Sequence, residues 1–310
     1  MAANPETRGR GHGLLWRRGI IREVHRLLLH NDQIRDTGDR CLSPGQVGLL
    51  NGWGVFSTIH VYDGVLFAWE RHWERMKRDA VLMRVPFPEQ SAWLEEKLLR
   101  LVEANQASNA TLRVAIVRNL GGTYEGRATR EFDVIAFTAN LNAWGQDARL
   151  GVVPNARFAA SEFAGVKILS WSENLTRYER AREQGFDEVV LLNERGEIAE
   201  CTSANIFAIE GSHVWTPPLS AGCLPGVTRA VLLEHIHVPG IEIAEKVLYP
   251  SDLEFMDQVF ITSTTRELLP VISVEGLSLK APVGDALSEL QSAFTEIVQS
   301  YITTRRRVPQ

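Results

Sequence analysis

Val166-Lys167-Ile168-Leu169-Ser170-Trp171 opens, and Glu200-Cys201-Thr202-Ser203-Ala204-Asn205 closes, the stretch that decides how this chain folds. Lys167 follows a small, apolar approach, Phe163-Ala164-Gly165-Val166, and has no acidic neighbour in sequence. In such surroundings an ammonium loses hydration, its neutral form gains, and the amine becomes a better nucleophile. The plainer alternative is a strand-end lysine that reaches out to water. Residues 172–184 read as an amphipathic helix, with Leu175 and Tyr178 inward and Gly185 as its stop. Glu188-Val189-Val190-Leu191-Leu192 reads as a buried strand, and Asn193-Glu194-Arg195-Gly196 turns the chain back toward Ile198 and Glu200. Thirty-three residues separate Lys167 from Glu200, enough for helix, strand and hairpin to bring both to one pocket.

Upstream, Leu27 to His30 reads as a first strand and Asn31-Asp32 as a turn. Asn51-Gly52-Trp53-Gly54 leads into a β-branched strand ending at Asp63-Gly64, a hairpin turn, with Val65 to Ala68 returning. Residues 70–83 form a helix that opens with His72-Trp73-Glu74-Arg75, and residues 91–103 a second with Trp93, Leu94, Leu98, Leu101 and Val102 on one face. Strands follow at 111–117 and 132–138, around a glycine-rich loop ending in Gly126-Arg127. That loop is no dinucleotide fingerprint, because no helix follows it. Residues 140–147 are polar and turn-rich, as a linker would be.

Downstream, Ile206–Ile209 and Val214-Trp215 make a hairpin, and Pro225-Gly226-Val227-Thr228-Arg229 runs directly into an apolar helix. A glycine at a helix start leaves backbone N–H groups able to hold an anion, though an ordinary helix N-terminus reads the same way. Val259 to Thr262 is a strand that delivers Ser263-Thr264-Thr265, and residues 284–301 close the chain as a helix packing Leu287, Leu290, Phe294, Ile297 and Tyr301. His235-Ile236-His237 lacks a third ligand and is read as a helix end, so no metal is expected.

Taken in order, these motifs resemble the class IV (fold type IV) pyridoxal-phosphate enzymes, over roughly residues 27–300. That family includes branched-chain aminotransferases, D-amino acid aminotransferases and aminodeoxychorismate lyase. The resemblance implies an α+β, two-domain fold: an N-terminal extension over 1–25, a small α/β domain over 26–139, a linker over 140–149 and a larger β-rich, cofactor-binding domain over 150–310. It makes Lys167 the Schiff-base lysine and Glu200 the partner of the pyridine nitrogen, with Cys201 where the family has glycine. It places Arg75, Val227, Thr228 and Thr264 on the cofactor phosphate, and Trp171 where a tyrosine usually meets the ring's 3′-oxygen. Phe56, on the strand that borders the substrate, joins Arg113, Arg127 and Thr265 as substrate-binding candidates. Trp53, Ser57 and His60 depart from the family on that same strand.

The function so implied is transfer of an amino group between a branched-chain-like amino acid and a 2-oxo acid. A lyase that releases pyruvate, and a D-amino acid or amine transaminase, are the alternatives. A homodimer with shared active sites is also implied. Composition narrows the other classes. The chain has 310 residues and a net charge of −5, which gives no reason to expect a nucleic-acid or anionic-membrane partner. Three widely spaced cysteines suit a reducing cytoplasm rather than a disulfide framework. No apolar run approaches the ~18 residues of a membrane helix. The arginine-rich ends, Arg8 to Arg26 and Arg305-Arg306-Arg307, read as solvated termini.

Overall fold

Alternation of side chains along Gly54–Tyr62 gives this strand two working faces. Val55, Ile59 and Val61 join the apolar core beneath the helices, whereas Phe56 and Thr58 line a cavity. The computed structural model describes residues 23–43, 45–122 and 128–307. In its first part, β1 (Val24–His30) and β2 (Gln33–Asp36) form a hairpin, followed by the short helix α1 (Val47–Asn51). β3 (Gly54–Tyr62) turns into β4 (Val65–Leu66), and helices α2 (Trp69–Leu82) and α3 (Ser91–Ala104) follow. β5 (Ala110–Arg118) and β6 (Phe132–Ala139) complete an antiparallel sheet of order β2-β1-β6-β5-β3-β4. Trp69, Trp73, Met76 and Ala80 of α2 and Leu94, Leu98 and Leu101 of α3 seal it. Full burial of such side chains contributes about 1.5–3 kcal/mol each, so this core holds the helices to the sheet.

The second part begins with β7 (Ala148–Arg157), so the connection between the sheets is residues 140–147. Helix α4 (Ser172–Glu183) crosses over to β8 (Glu188–Asn193), which lies parallel to β7 and is buried along its whole length. That burial on both faces explains the unbroken Val-Val-Leu-Leu run. β9 (Ile198–Cys201), β10 (Asn205–Glu210) and β11 (His213–Thr216) follow, then helix α5 (Val227–His235) and strands β12 (Glu242–Glu245), β13 (Gln258–Ser263) and β14 (Glu267–Val274). The eight-stranded order is β12-β11-β10-β13-β14-β7-β8-β9. The closing helix α6 (Ala286–Arg307) packs Leu290, Phe294, Val298 and Ile302 inward. The whole is an α+β fold of two sheets.

One local expectation is corrected, and two features are added. Leu175 is not inward but 48% exposed, because α4 is anchored on β8 through Ala181 and turns Leu175 toward the cavity mouth. The C-terminal arginines are part of a helix: α6 runs through Arg307, and the partly exposed Arg305 pairs with Glu70 at 2.8 Å and Glu95 at 3.5 Å. β14 went unseen because it contains Pro270, which pairs with Phe260 at a point before the β7 pairing begins at Val271. Among the described residues no helix is long and apolar enough to cross a membrane.

Candidate active site

Lys167 belongs to the second part of the chain but is gripped by the first. After β7 the chain turns at Gly165, whose positive φ of 72° and close approach to the Cys223 carbonyl leave no room for a side chain: a Cβ would sit 2.6 Å from that oxygen. The following residues lie antiparallel to the start of β3, bridged at Val55 and Ile168. The Phe56 N–H donates to the Lys167 carbonyl at 3.1 Å, and the Leu169 N–H to the Gly54 carbonyl at 2.9 Å. The Lys167 N–H donates to Oδ2 of Asp79, on α2, at 3.0 Å. The amine itself lies 4.6 Å from the centre of the Phe56 ring and 5.8 Å from that of Trp171. Burial, and next the Arg75 guanidinium, push its pKa from 10.5 down to about 7. Glu200 and Asp79 oppose the shift, and Arg113 adds to it.

Glu200, on β9, faces the same cavity and is buried. Oε1 accepts from Arg157 Nε at 2.9 Å and Oε2 from the Leu224 N–H at 3.0 Å, so both oxygens are fixed. Arg157 is in turn held by Asn174 at 3.1 Å, whose amide donates to the Thr202 carbonyl at 2.9 Å. Behind this wall is a buried pair, Arg266 and Glu188 at 3.0 Å. Glu188 also accepts from the hydroxyls of Thr202 and Ser203, and Arg266 lies 3.8 Å over the Trp144 ring.

At the cavity's other end the groups are donors. Arg75 is buried, donates to Ser57 Oγ at 2.8 Å, and has its Nε unpartnered among the described residues. Ser57 is bonded in turn to His72 Nδ1 at 2.7 Å. Burial first, then Arg75 and Lys167, hold the His72 imidazole well below its ordinary pKa. The N-terminus of α5 points to the same region with Gly226 as N-cap and no side-chain cap. A Cβ on Gly226 would meet Asn205 Oδ1 at 2.0 Å. Thr262 contributes a buried hydroxyl that has no partner among the described residues, and the Thr264-Thr265 turn lines the cavity nearby. A helix start without a side-chain cap, and an arginine Nε and a hydroxyl that lack partners among the described residues, together suit an anion such as a phosphate.

The cavity, about 830 Å³, is lined by Phe56, Arg75, Arg113, Lys167, Trp171, Glu200, Val227, Thr228, Thr264 and Thr265, so the structure brings these candidates together. Arg127 lies outside the described residues. Arg113 stands opposite Thr58 on β5, with its guanidinium 3.9 Å over the Phe56 ring. Trp171 meets Phe56 edge-on, the ring centres 6.0 Å apart. Sequence reasoning missed Asp79, Arg157, Ser57 as a partner of Arg75, and Thr262. Only Asp79 carried a signal, since His72, Arg75 and Asp79 repeat at helical spacing as a buried polar stripe.

The cavity gathers a lysine amine of lowered pKa, a carboxyl group fixed on both oxygens and a set of groups suited to an anion. The chain belongs to the class IV aminotransferases, whose family model matches residues 54–274. Class IV aminotransferases depend on pyridoxal phosphate. The branched-chain-amino-acid aminotransferase of Escherichia coli is 28% identical over 261 residues, 78% of this chain and 83% of that one. The aminodeoxychorismate lyase of Bacillus subtilis is 27% identical over 279 residues, 88% of this chain and 94% of that one. A solved structure of the Escherichia coli branched-chain aminotransferase superposes with a TM-score of 0.79 at 26% identity, covering 88% of this chain and 94% of that one.

Proposed function

We propose that this chain is a pyridoxal-phosphate-dependent aminotransferase of the branched-chain type, moving an amino group between an amino acid and a 2-oxo acid. The observation that carries the reading is the Lys167 amine, brought to a pKa of about 7 and fixed by its backbone between an anion site and Glu200. The residues fit the cofactor: the unused Arg75 Nε, the uncapped N–H groups of Val227 and Thr228 and the Thr264 hydroxyl would hold its phosphate, and Glu200, braced by Arg157, its ring nitrogen. When bound, pyridoxal phosphate supplies an electrophilic carbonyl and a ring that accepts electrons. The protein's part is to place and time protons. With a pKa of about 7, Lys167 Nζ both takes and gives a proton near neutrality, as general acid–base catalysis requires. Trp171 packs beside the ring's place, Phe56 and Thr265 border the substrate, and Arg113 takes its carboxylate.

The domain boundary is assigned to residues 140–147, between β6 and β7. A homodimer and a cytoplasmic location complete the reading, and three free cysteines accord with a reducing compartment.

A lyase that eliminates pyruvate is the second reading, favoured by the comparable likeness to the Bacillus subtilis enzyme. Incubation with leucine and 2-oxoglutarate separates the two. Formation of the leucine-derived keto acid, with conversion of the cofactor to its pyridoxamine form, supports the aminotransferase. Pyruvate release from an aminodeoxychorismate-type substrate without that conversion supports the lyase. Borohydride reduction followed by digestion should fix the cofactor on the Lys167 peptide, and Lys167→Ala should retain none. Recovery on another lysine overturns the assignment.

A further inference from the structure

Three buried polar residues form one stripe of α2: His72, Arg75 and Asp79. Arg75 faces the anion end of the cavity. Asp79, one helical turn later, is fully buried and accepts the Lys167 N–H at 3.0 Å. Its other oxygen is held by Arg78, whose Nε lies at 2.9 Å. Arg78 also donates to the Gly165 carbonyl at 3.1 Å, at the turn that leads to the lysine. The helix thus carries a group for the phosphate and a group for the lysine backbone at a fixed spacing of about 6 Å along its axis.

We propose that Asp79 is a positioning residue: it pins the Lys167 backbone to α2 and so sets the separation between the lysine amine and the Arg75 anion site. A ligand that bears both an aldehyde and a phosphate then meets two attachment points already spaced for it. The second attachment becomes intramolecular and gains from a high effective concentration. The Asp79 carboxylate has a second effect through its charge. The groups facing the Lys167 amine are Arg75 and Asp79 from α2, Glu200 from β9 and Arg113 from β5, with the neutral His72 imidazole beside Arg75. Asp79 is one of two acids there that support the ammonium against burial and two arginines. Loss of its charge shifts the amine further toward the neutral form.

The inference rests on the cavity being the site of an aldehyde-bearing phosphate cofactor, and its test keeps the two apart. The cofactor-free protein is titrated with pyridoxal phosphate and with pyridoxal, which lacks the phosphate, and binding is read by absorbance. In Asp79→Ala the affinity ratio of the two should fall by about tenfold, because the phosphate no longer arrives in register with the amine. Asp79→Asn keeps an acceptor for the Lys167 N–H, so the ratio should stay within about twofold of wild type. In that variant the pH of half-maximal labelling of the Lys167 peptide by an amine reagent, about 7 in the wild type, should drop.

An unchanged ratio in Asp79→Ala overturns the positioning role, and an unchanged labelling pH in Asp79→Asn overturns the electrostatic one. Should Asp79→Ala fail to fold, Asp79→Glu decides the first point. Its longer side chain keeps the charge but displaces the Lys167 backbone, and the ratio must fall. If wild-type protein carries pyridoxal phosphate on a lysine other than Lys167, the functional reading itself fails. The labelling result still stands, since it needs no cofactor.

Discussion

Glu200 accepts hydrogen bonds on both oxygens, from Arg157 and from the Leu224 N–H, and this geometry makes Glu200→Gln informative. A glutamine can offer an acceptor to only one of these donors and turns an NH₂ toward the other. Turnover should fall by about 10²-fold or more, as when a preorganised electrostatic partner is lost. Cofactor affinity should change by less, since the phosphate donors lie at the far end of the cavity. Steady-state rates and an absorbance titration check both, and turnover within a few-fold of wild type removes Glu200 from the role. The placement of Lys167 and Glu200 in one cavity was legible from the sequence through the resemblance of their two motifs to the family, not from either residue alone. Asp79 and Arg157 were not, although they hold those two residues in place. They act across 88 and 43 residues, and nothing local marks an arginine at the end of β7 as the brace of a glutamate on β9. Trp171 shows another limit. Its position in the motif left two readings open, a hydrogen-bond donor to the ring's 3′-oxygen or a packing ring, and the structure adds an edge-on contact with Phe56.

Helix ends and faces carry the next level of organisation, and α5 is the clearest case. Gly226 adopts φ −64° and ψ 141°, which any residue tolerates, so its value is space rather than conformation. In Gly226→Ala the new Cβ would meet Asn205 Oδ1 at 2.0 Å and force apart the Asn205 side chain and the helix start. The bond from Asn205 to the Leu224 carbonyl, 2.9 Å, would be strained or lost. Inorganic phosphate and pyridoxal phosphate should both bind the cofactor-free variant about tenfold more weakly, with pyridoxal little affected. Competition titration with phosphate measures this, and equal loss for all three ligands argues for general damage instead. The glycine was readable from sequence as the start of a helix, which the structure matches with Gly226 as N-cap, but the Asn205 contact that demands it was not. Periodicity located α2, α3 and α6 to within a few residues at most ends, because their apolar stripes are buried against a sheet. It misjudged Leu175, since a helix that borders a cavity can turn an apolar residue to the opening without paying for an aqueous face on the far side.

Across the whole molecule, a third apolar cluster joins the two sheets: Phe67 and Ala68, just before α2, pack with Phe294, Leu290 and Val298 of α6 and with Phe207 and Phe260 of the second sheet. Tyr301 reinforces the joint by donating to Glu70 at 2.7 Å. Phe294→Ala should therefore lower the unfolding free energy by about 3–5 kcal/mol. Denaturant titration followed by two optical probes tests this, and a loss under about 1 kcal/mol would mean that α6 is no strap. No pattern in the sequence pointed to this joint, because its residues lie at opposite ends of the chain. The same long-range construction has a consequence for the Lys167 segment laid along β3. In a nascent or unfolded chain that lysine is one ordinary amine among several, with a pKa of 10.5, and only assembly of both sheets brings it to about 7. At neutral pH the neutral fraction rises on folding by roughly 10³-fold. On the proposed reading, Lys167 therefore gains its carbonyl-trapping reactivity only once both sheets have assembled, so that cofactor uptake would report completed folding.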